Sequence, residues 1–209
     1  MLITVWLLLK LSRRASPGRY HAFSLLLLVW LSITGALASR QAFSDFQRVP
    51  PLLPICILIA LGTVTAIALT TRQGIPLAWL IGYQAFRIPV EIFLHLGYLA
   101  GFVPVQMTWG GRNFDVLTGL AAIPIAWLAH RHALPKWAAY VWNIVGFALL
   151  LNIMSIAFLS FPTPLRQFHN DPANVFVTQI PFVWLPTILV PAAWFGHIAV
   201  FRYLRSPSS

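Results

Sequence analysis

The stretch FRIPVEIFLH (86–95) sets Arg87, Glu91 and His95 within a run that is otherwise apolar. Residues four apart stack on one face of a helix. Counted at about 100° per residue from Gln84, Arg87, Glu91, His95 and Tyr98 fall at about 300°, 340°, 20° and 320°. All five therefore occupy one arc of roughly 80°, a polar stripe rising roughly 16 Å from Gln84 to His95. A carboxylate, a counter-ion and an imidazole on one line can move a proton, bind a polar ligand or act as an acid/base pair. They can also simply hold helices together. Arg87 and Glu91 are expected to neutralise one another along the helix, although Arg before Glu is the weaker order. Pro89 removes one backbone donor and displaces the carbonyl of Ala85, leaving an acceptor free inside the stripe's segment.

Energetics decide which way the stripe faces. A central Arg or acid costs roughly 2.5–3.5 kcal/mol on insertion, whereas each Leu, Ile or Phe returns about 0.3–0.6 kcal/mol. A lipid-facing Arg87–Glu91 pair would cancel most of what its helix gains. The stripe is therefore expected to face other helices or a wet cavity.

The elements that must position it follow from composition. Of 209 residues, 59% are hydrophobic and 9% charged, against about 25% charged in soluble domains. Such a chain cannot cover a water-facing surface, so residues 1–209 are read as a single transmembrane domain. Six apolar runs are long enough to cross, given that a span needs about 20 residues. They cover about 20–38, 51–70, 76–102, 115–131, 137–160 and 181–204. The predicted fold is all-α, a polytopic transmembrane bundle of six spans plus a short apolar segment at Met1–Leu11. That segment reads as an interfacial helix, part of a seventh span or a start-site artefact. A rival reading of residues 1–38 is a cleaved signal with an A-x-A site at 36–38, although its charges do not come first.

The net charge of +10 would point to nucleic acid in a soluble protein. Here the cations sit in short loops, so the expected contact is the lipid bilayer and no nucleic acid. With the N-terminus inside, the inner loops collect Lys10, Arg13, Arg14, Arg19, Arg72, Arg131, Lys136, Arg202 and Arg205. The outer loops collect Arg40, Arg48, Arg112 and Arg166, together with Asp45, Asp115 and Asp171. The bias predicts N-in and C-in. Trp79, Trp109, Trp137 and Trp184 fall near span ends and read as interface anchors.

Span midpoints give depths. Glu91, His95 and Asn152 are expected to form an outer polar layer, and Gln84, Asn143 and His197 an inner one, with Arg87 between. The segment MTWGGRNFD (107–115) joins the third and fourth spans outside. Its Gly pair permits positive φ, and Asp115, or Asn113, can cap the fourth helix. Alternatively Arg112, Asn113 and Asp115 form an outer mouth that meets a polar ligand.

Other chemistries lack their residues. Cys56 stands alone in an apolar run, which excludes a disulfide framework or thiolate metal site. His95 and His197 differ in depth by roughly 16 Å, too far to share a haem iron. No H-E-x-x-H, G-x-S-x-G or phosphate-cradling loop occurs, so neither a metal nor a cofactor is expected. RIPVEIFLHLGYLAGFVPVQMTWGGRNFDVLTGL, followed by FVWLPTILVPAAWFGHI, resembles an uncharacterised family of small multi-pass bacterial membrane proteins. The likeness covers about residues 77–200 and is strongest at Arg87, Glu91, Met107, Thr108 and Arg112–Asp115. It implies a bacterial integral membrane protein and carries no activity; the expected location is the bacterial cytoplasmic (inner) membrane.

The leading expectation is movement of a proton or small polar solute, with Glu91 titrating, Arg87 as counter-ion, and His95 and Tyr98 relaying towards Arg112 and Asp115. The second is a structural or assembly subunit docking a partner membrane protein or another copy of itself. The third is an intramembrane enzyme acting on a lipid or quinone; no nucleophile or metal motif supports it.

Overall fold

The computed structural model describes residues 18, 20–48, 50–70 and 75–206, which are helical with no strand among them. Met1–Leu11 and most of the basic cluster after it lie outside the described residues. The helices are α1 (Tyr20–Ser39), α2 (Leu52–Thr70), α3 (Leu77–Gly82), α4 (Arg87–Leu99), α5 (Val116–His130), α6 (Lys136–Leu159) and α7 (Val190–Arg205). A 3-10 turn, Tyr83–Phe86, joins α3 to α4, and a π turn, Leu185–Leu189, leads into α7. Five segments among the described residues are long and apolar enough to cross a membrane: α1, α2, Leu77–Leu99, α6 and Leu185–Arg205. That marks the chain as a membrane protein.

Local sequence explains the irregular turns. The 3-10 turn is the one preceding Pro89, where the proline ring cannot accept a regular α-helical turn beneath it. Pro186 lies within the first residues of the π turn, and Pro191 stands in the first turn of α7 directly after it. Within the bundle, Leu185–Arg205 and Leu77–Leu99 are the most buried segments, at 56% and 44% of their apolar windows, against 17% for α1. Those two segments form the centre. The first helix packs outside them through Trp30, whose indole N–H donates to the Thr187 carbonyl at 3.0 Å. Trp184, expected at an interface, instead donates to the Leu31 carbonyl at 3.3 Å and lies against Gly35.

The core has two apolar clusters. One gathers Ile81, Phe86, Trp142, Ala193 and Val200; the other gathers Leu94, Val103, Met107, Ile156 and Val183. Along α4, Arg87 and Glu91 lie between Phe86 of the first and Leu94 of the second.

The fourth expected span departs from the rest. α5 has 15 residues, about 22 Å of rise, short of the roughly 30 Å hydrocarbon core. The missing length is supplied by the segment before it. Residues 100–115 turn back at the end of α4, where Gly101 takes φ +81°, and descend beside it. Glu91 stands about 12 Å of helical rise below Leu99, yet Asn113 reaches its carboxylate. Irregular backbone at that depth is tolerated only where protein covers it. Gln106, Met107, Thr108, Asn113 and Asp115 are all buried, and 3-10 and turn hydrogen bonds satisfy much of the backbone.

Gly111 makes that descent possible. A Cβ there would stand 2.2 Å from the Val105 carbonyl oxygen and 2.6 Å from Gln106 Cα. Gly111 thus serves close backbone approach rather than the positive φ that the Gly pair permits, because neither glycine adopts one.

Candidate functional site

Glycines let three helices close around Arg87. A Cβ on Gly119 of α5 would lie 3.3 Å from Arg87 Cβ. One on Gly146 of α6 would lie 2.8 Å from His197 Cε1, and one on Gly196 of α7 would lie 2.1 Å from the Tyr83 hydroxyl. Small residues at helix contacts are how membrane helices approach closely enough for side chains to bond across them.

Into this space Arg87 extends, 2% exposed. Its Nη1 donates to Asp115 Oδ1, forming a buried ion pair, and lies 3.4 Å from the Gly146 carbonyl. Its Nη2 donates to His197 Nε2 at 3.0 Å. Because a guanidinium only donates, Nε2 must accept, which puts the imidazole hydrogen on Nδ1. That nitrogen is 2.8 Å from Asn143 Oδ1, while Asn143 Nδ2 donates to the His197 carbonyl at 3.1 Å. Asn143 therefore fixes the tautomer that receives Arg87.

Glu91, one turn along, is also 2% exposed. Asn113 Nδ2 donates to its two oxygens at 2.7 and 2.8 Å and reaches the Met107 carbonyl at 3.0 Å. Asn113 Oδ1 accepts from the Asp115 backbone N–H at 3.1 Å. One amide thus ties the acid to the loop and orients the start of α5. Replacing Asn113 with Ala strips Glu91 of its donor and leaves buried acceptors unmet, at about 1–3 kcal/mol. Thermal unfolding in mild detergent should show that loss, and an unchanged melt would disprove the tie.

Several placements differ from the sequence reading. Arg87 pairs with Asp115 rather than with Glu91, because the long side chain reaches the next helix in better geometry than it reaches a residue one turn on. Asp115 stands at the N-cap position of α5 but makes no side-chain cap bond; its carboxylate is spent on Arg87, and Thr118 Oγ1 lies 3.4 Å from it. The outer mouth is divided. Asn113 and Asp115 are buried, whereas Arg112 is exposed, with its guanidinium 5.4 Å from the Phe168 ring. Asn152 donates to the Arg112 carbonyl at 2.8 Å, holding the loop rather than Glu91.

The stripe also splits. Gln84 is fully buried and donates to the Ala193 carbonyl at 3.0 Å. His95 is half-buried and stacks on Trp109, ring centroids 4.3 Å apart, while Tyr98 is 38% exposed. His197 and Asp115 are the residues that helical phase on one span did not reveal as partners of Arg87. The short fourth apolar run was the available signal for Asp115, since it required the preceding loop to enter the bundle.

A cavity of about 570 Å³ adjoins this cluster. Its walls come from α2 (Leu58, Leu61), α6 (Leu151, Ser155) and the Leu185–Arg205 segment, and they are almost wholly apolar. Its charged side is Arg87, Glu91 and Asp115, and Asn174 and Ser155 are its other polar lining residues. Leu58 and Leu151, 68% and 42% exposed, stand at the rim, so the space opens sideways between α2 and α6 on the exposed apolar surface. Its size lies within the range of small-ligand sites.

A model of a domain of unknown function, DUF8737, matches residues 49–205. The chain belongs to this family. The DUF8737 match starts before α2 and runs to the end of α7, so it contains every residue of the charged cluster and of the cavity wall, and leaves α1 outside. Comparison with curated proteins and with solved structures finds no match.

Proposed function

We propose that this DUF8737 protein binds a membrane-dissolved amphiphile, which enters sideways between α2 and α6 and brings its polar end to Glu91, Arg87 and Asp115. The observation that carries this reading is the pairing of an apolar, laterally open cavity with a charged cluster at its inner wall. An aqueous solute would gain little from such walls; an acyl or prenyl chain would bury its whole length against them. Glu91 is the acid/base position of the site. The chain sits in a bacterial cytoplasmic membrane with six crossings and both ends inside. The loop charges support that orientation, and α5 completes its crossing with the loop 100–115.

Native mass spectrometry of the chain released from membranes in mild detergent tests the reading. One retained amphiphile per chain is expected, and Ser155→Trp, which narrows the lipid-facing mouth, is expected to remove it. A bare protein mass from several gentle detergents would count against the site.

Movement of a proton or small polar solute is the second reading. It is supported by the unbroken run of polar contacts from Asn113 through Glu91, and from Asp115 through Arg87 and His197 to Asn143. It predicts that cysteines at 84, 87, 91 and 95, in a Cys56→Ala background, react with a membrane-impermeant thiol reagent. Silence at all four would leave the amphiphile reading alone.

A further inference from the structure

The balance of donors and acceptors at the cavity wall bears on the chemistry of the polar end. Arg87 is the cation of the cluster, and its two terminal nitrogens are already committed. Asp115 matches its charge, and the Gly146 carbonyl and His197 Nε2 take further hydrogens. Only its Nε lacks a partner among the described residues. Glu91 is in the opposite condition. A carboxylate offers about four lone-pair sites, and its two oxygens receive the single Asn113 amide nitrogen, which also serves the Met107 carbonyl. The cluster thus sets two carboxyl groups against one guanidinium; apart from the Arg87 Nε–H, its spare capacity lies on the accepting side.

We infer that the polar end recognised at Glu91 is a hydrogen-bond donor, a hydroxyl or an ammonium on a long apolar chain, and not an anion. This rests on the amphiphile reading of the cavity. A phosphate or carboxylate brought to the same wall would face Glu91 and Asp115, with Arg87, the cation among the described residues of the cavity wall, already paired to Asp115, in surroundings that screen charge poorly. A hydroxyl would donate to Glu91 and add no charge. An ammonium would donate and also balance the second carboxylate. The two share the donating hydrogen, and they differ in charge.

The test is a head-group series on one chain length. The full-length protein in mild detergent is titrated with hexadecanol, hexadecylamine and hexadecyl phosphate, and bound stoichiometry is read by native mass spectrometry. The alcohol, the amine or both should bind at least about tenfold more tightly than the phosphate, a difference of about 1.4 kcal/mol. Glu91→Gln, which exchanges one acceptor oxygen for a donor, should erase most of that preference while the melt confirms folding. If that variant fails to fold, the series on the unaltered protein still decides. Phosphate binding as tightly as the alcohol and the amine overturns the donor assignment and leaves the cavity reading standing. Failure of all three to bind overturns both. Of the two donors, preference for the amine identifies an aminolipid-like head group, and preference for the alcohol identifies a lipid alcohol or quinol.

Discussion

Asp115→Ala is expected to lower the unfolding free energy by about 3–5 kcal/mol, the cost of stranding a buried charge by removing its partner. Arg87 is 2% exposed and has no second carboxylate within ion-pair distance among the described residues. His197 Nε2 and the Gly146 carbonyl would remain as acceptors, but neither cancels a full charge. The informative comparison is the double variant Arg87→Met/Asp115→Leu. Replacing both members of a buried ion pair by apolar side chains is often neutral or stabilising, so the double variant should recover most of the loss. Thermal unfolding in mild detergent reads both. A melt that Asp115→Ala leaves unchanged would sink the view that this pair joins α4 to α5.

The second large effect is expected at Gly111. A methyl group there meets the backbone of Val105 and Gln106, at 2.2 Å from the carbonyl oxygen and 2.7 Å from the carbonyl carbon of Val105. Backbone cannot swing aside as a flexible side chain can. The loop must move outward and take Asn113 away from Glu91. Overpacking commonly costs about 1–3 kcal/mol and occasionally more; Gly111→Ala belongs at or above the top of that range. Gly110 is the control, because its added Cβ would meet only Thr108 Oγ1 at 3.6 Å, an ordinary contact. Gly110→Ala should melt like the unaltered protein. Equal melts for the two variants would mean that the descent does not depend on close backbone approach at Gly111.

Much of this architecture is legible in the residues, for a physical reason. Span placement depends on runs of apolar side chains, and such runs are local. Hence α2, expected at 51–70, occupies Leu52–Thr70, and α6, expected at 137–160, occupies Lys136–Leu159. The side of the Leu77–Leu99 segment that carries Gln84, Arg87 and Glu91 is likewise a local property of helical phase, and all three side chains are buried. What each one bonds to is not local. Arg87 chose between Glu91 one turn away and Asp115 on another helix, and the choice turned on how deeply the loop descends. That depth is set by Gly111 against Val105, a contact that no periodicity encodes. His95 and Tyr98 share the angle of Glu91 but sit beyond the point where neighbours cover the helix. Their phase was legible; the height of the surrounding bundle was not.

The ion pair between Arg87 and Asp115 spans 28 residues of chain and makes α4, the returning loop and α5 one hairpin. Any experiment that cuts or interrupts this hairpin changes what it seeks to measure. A topology reporter fused between residues 100 and 114 would leave Arg87 in the bilayer without its carboxylate, and would push that segment out of register. Fusion points before Leu77 or after His130 keep the hairpin whole. Split-chain and truncation studies of this protein should respect the same limits, since a fragment that retains Arg87 is stable only if it also retains Asp115.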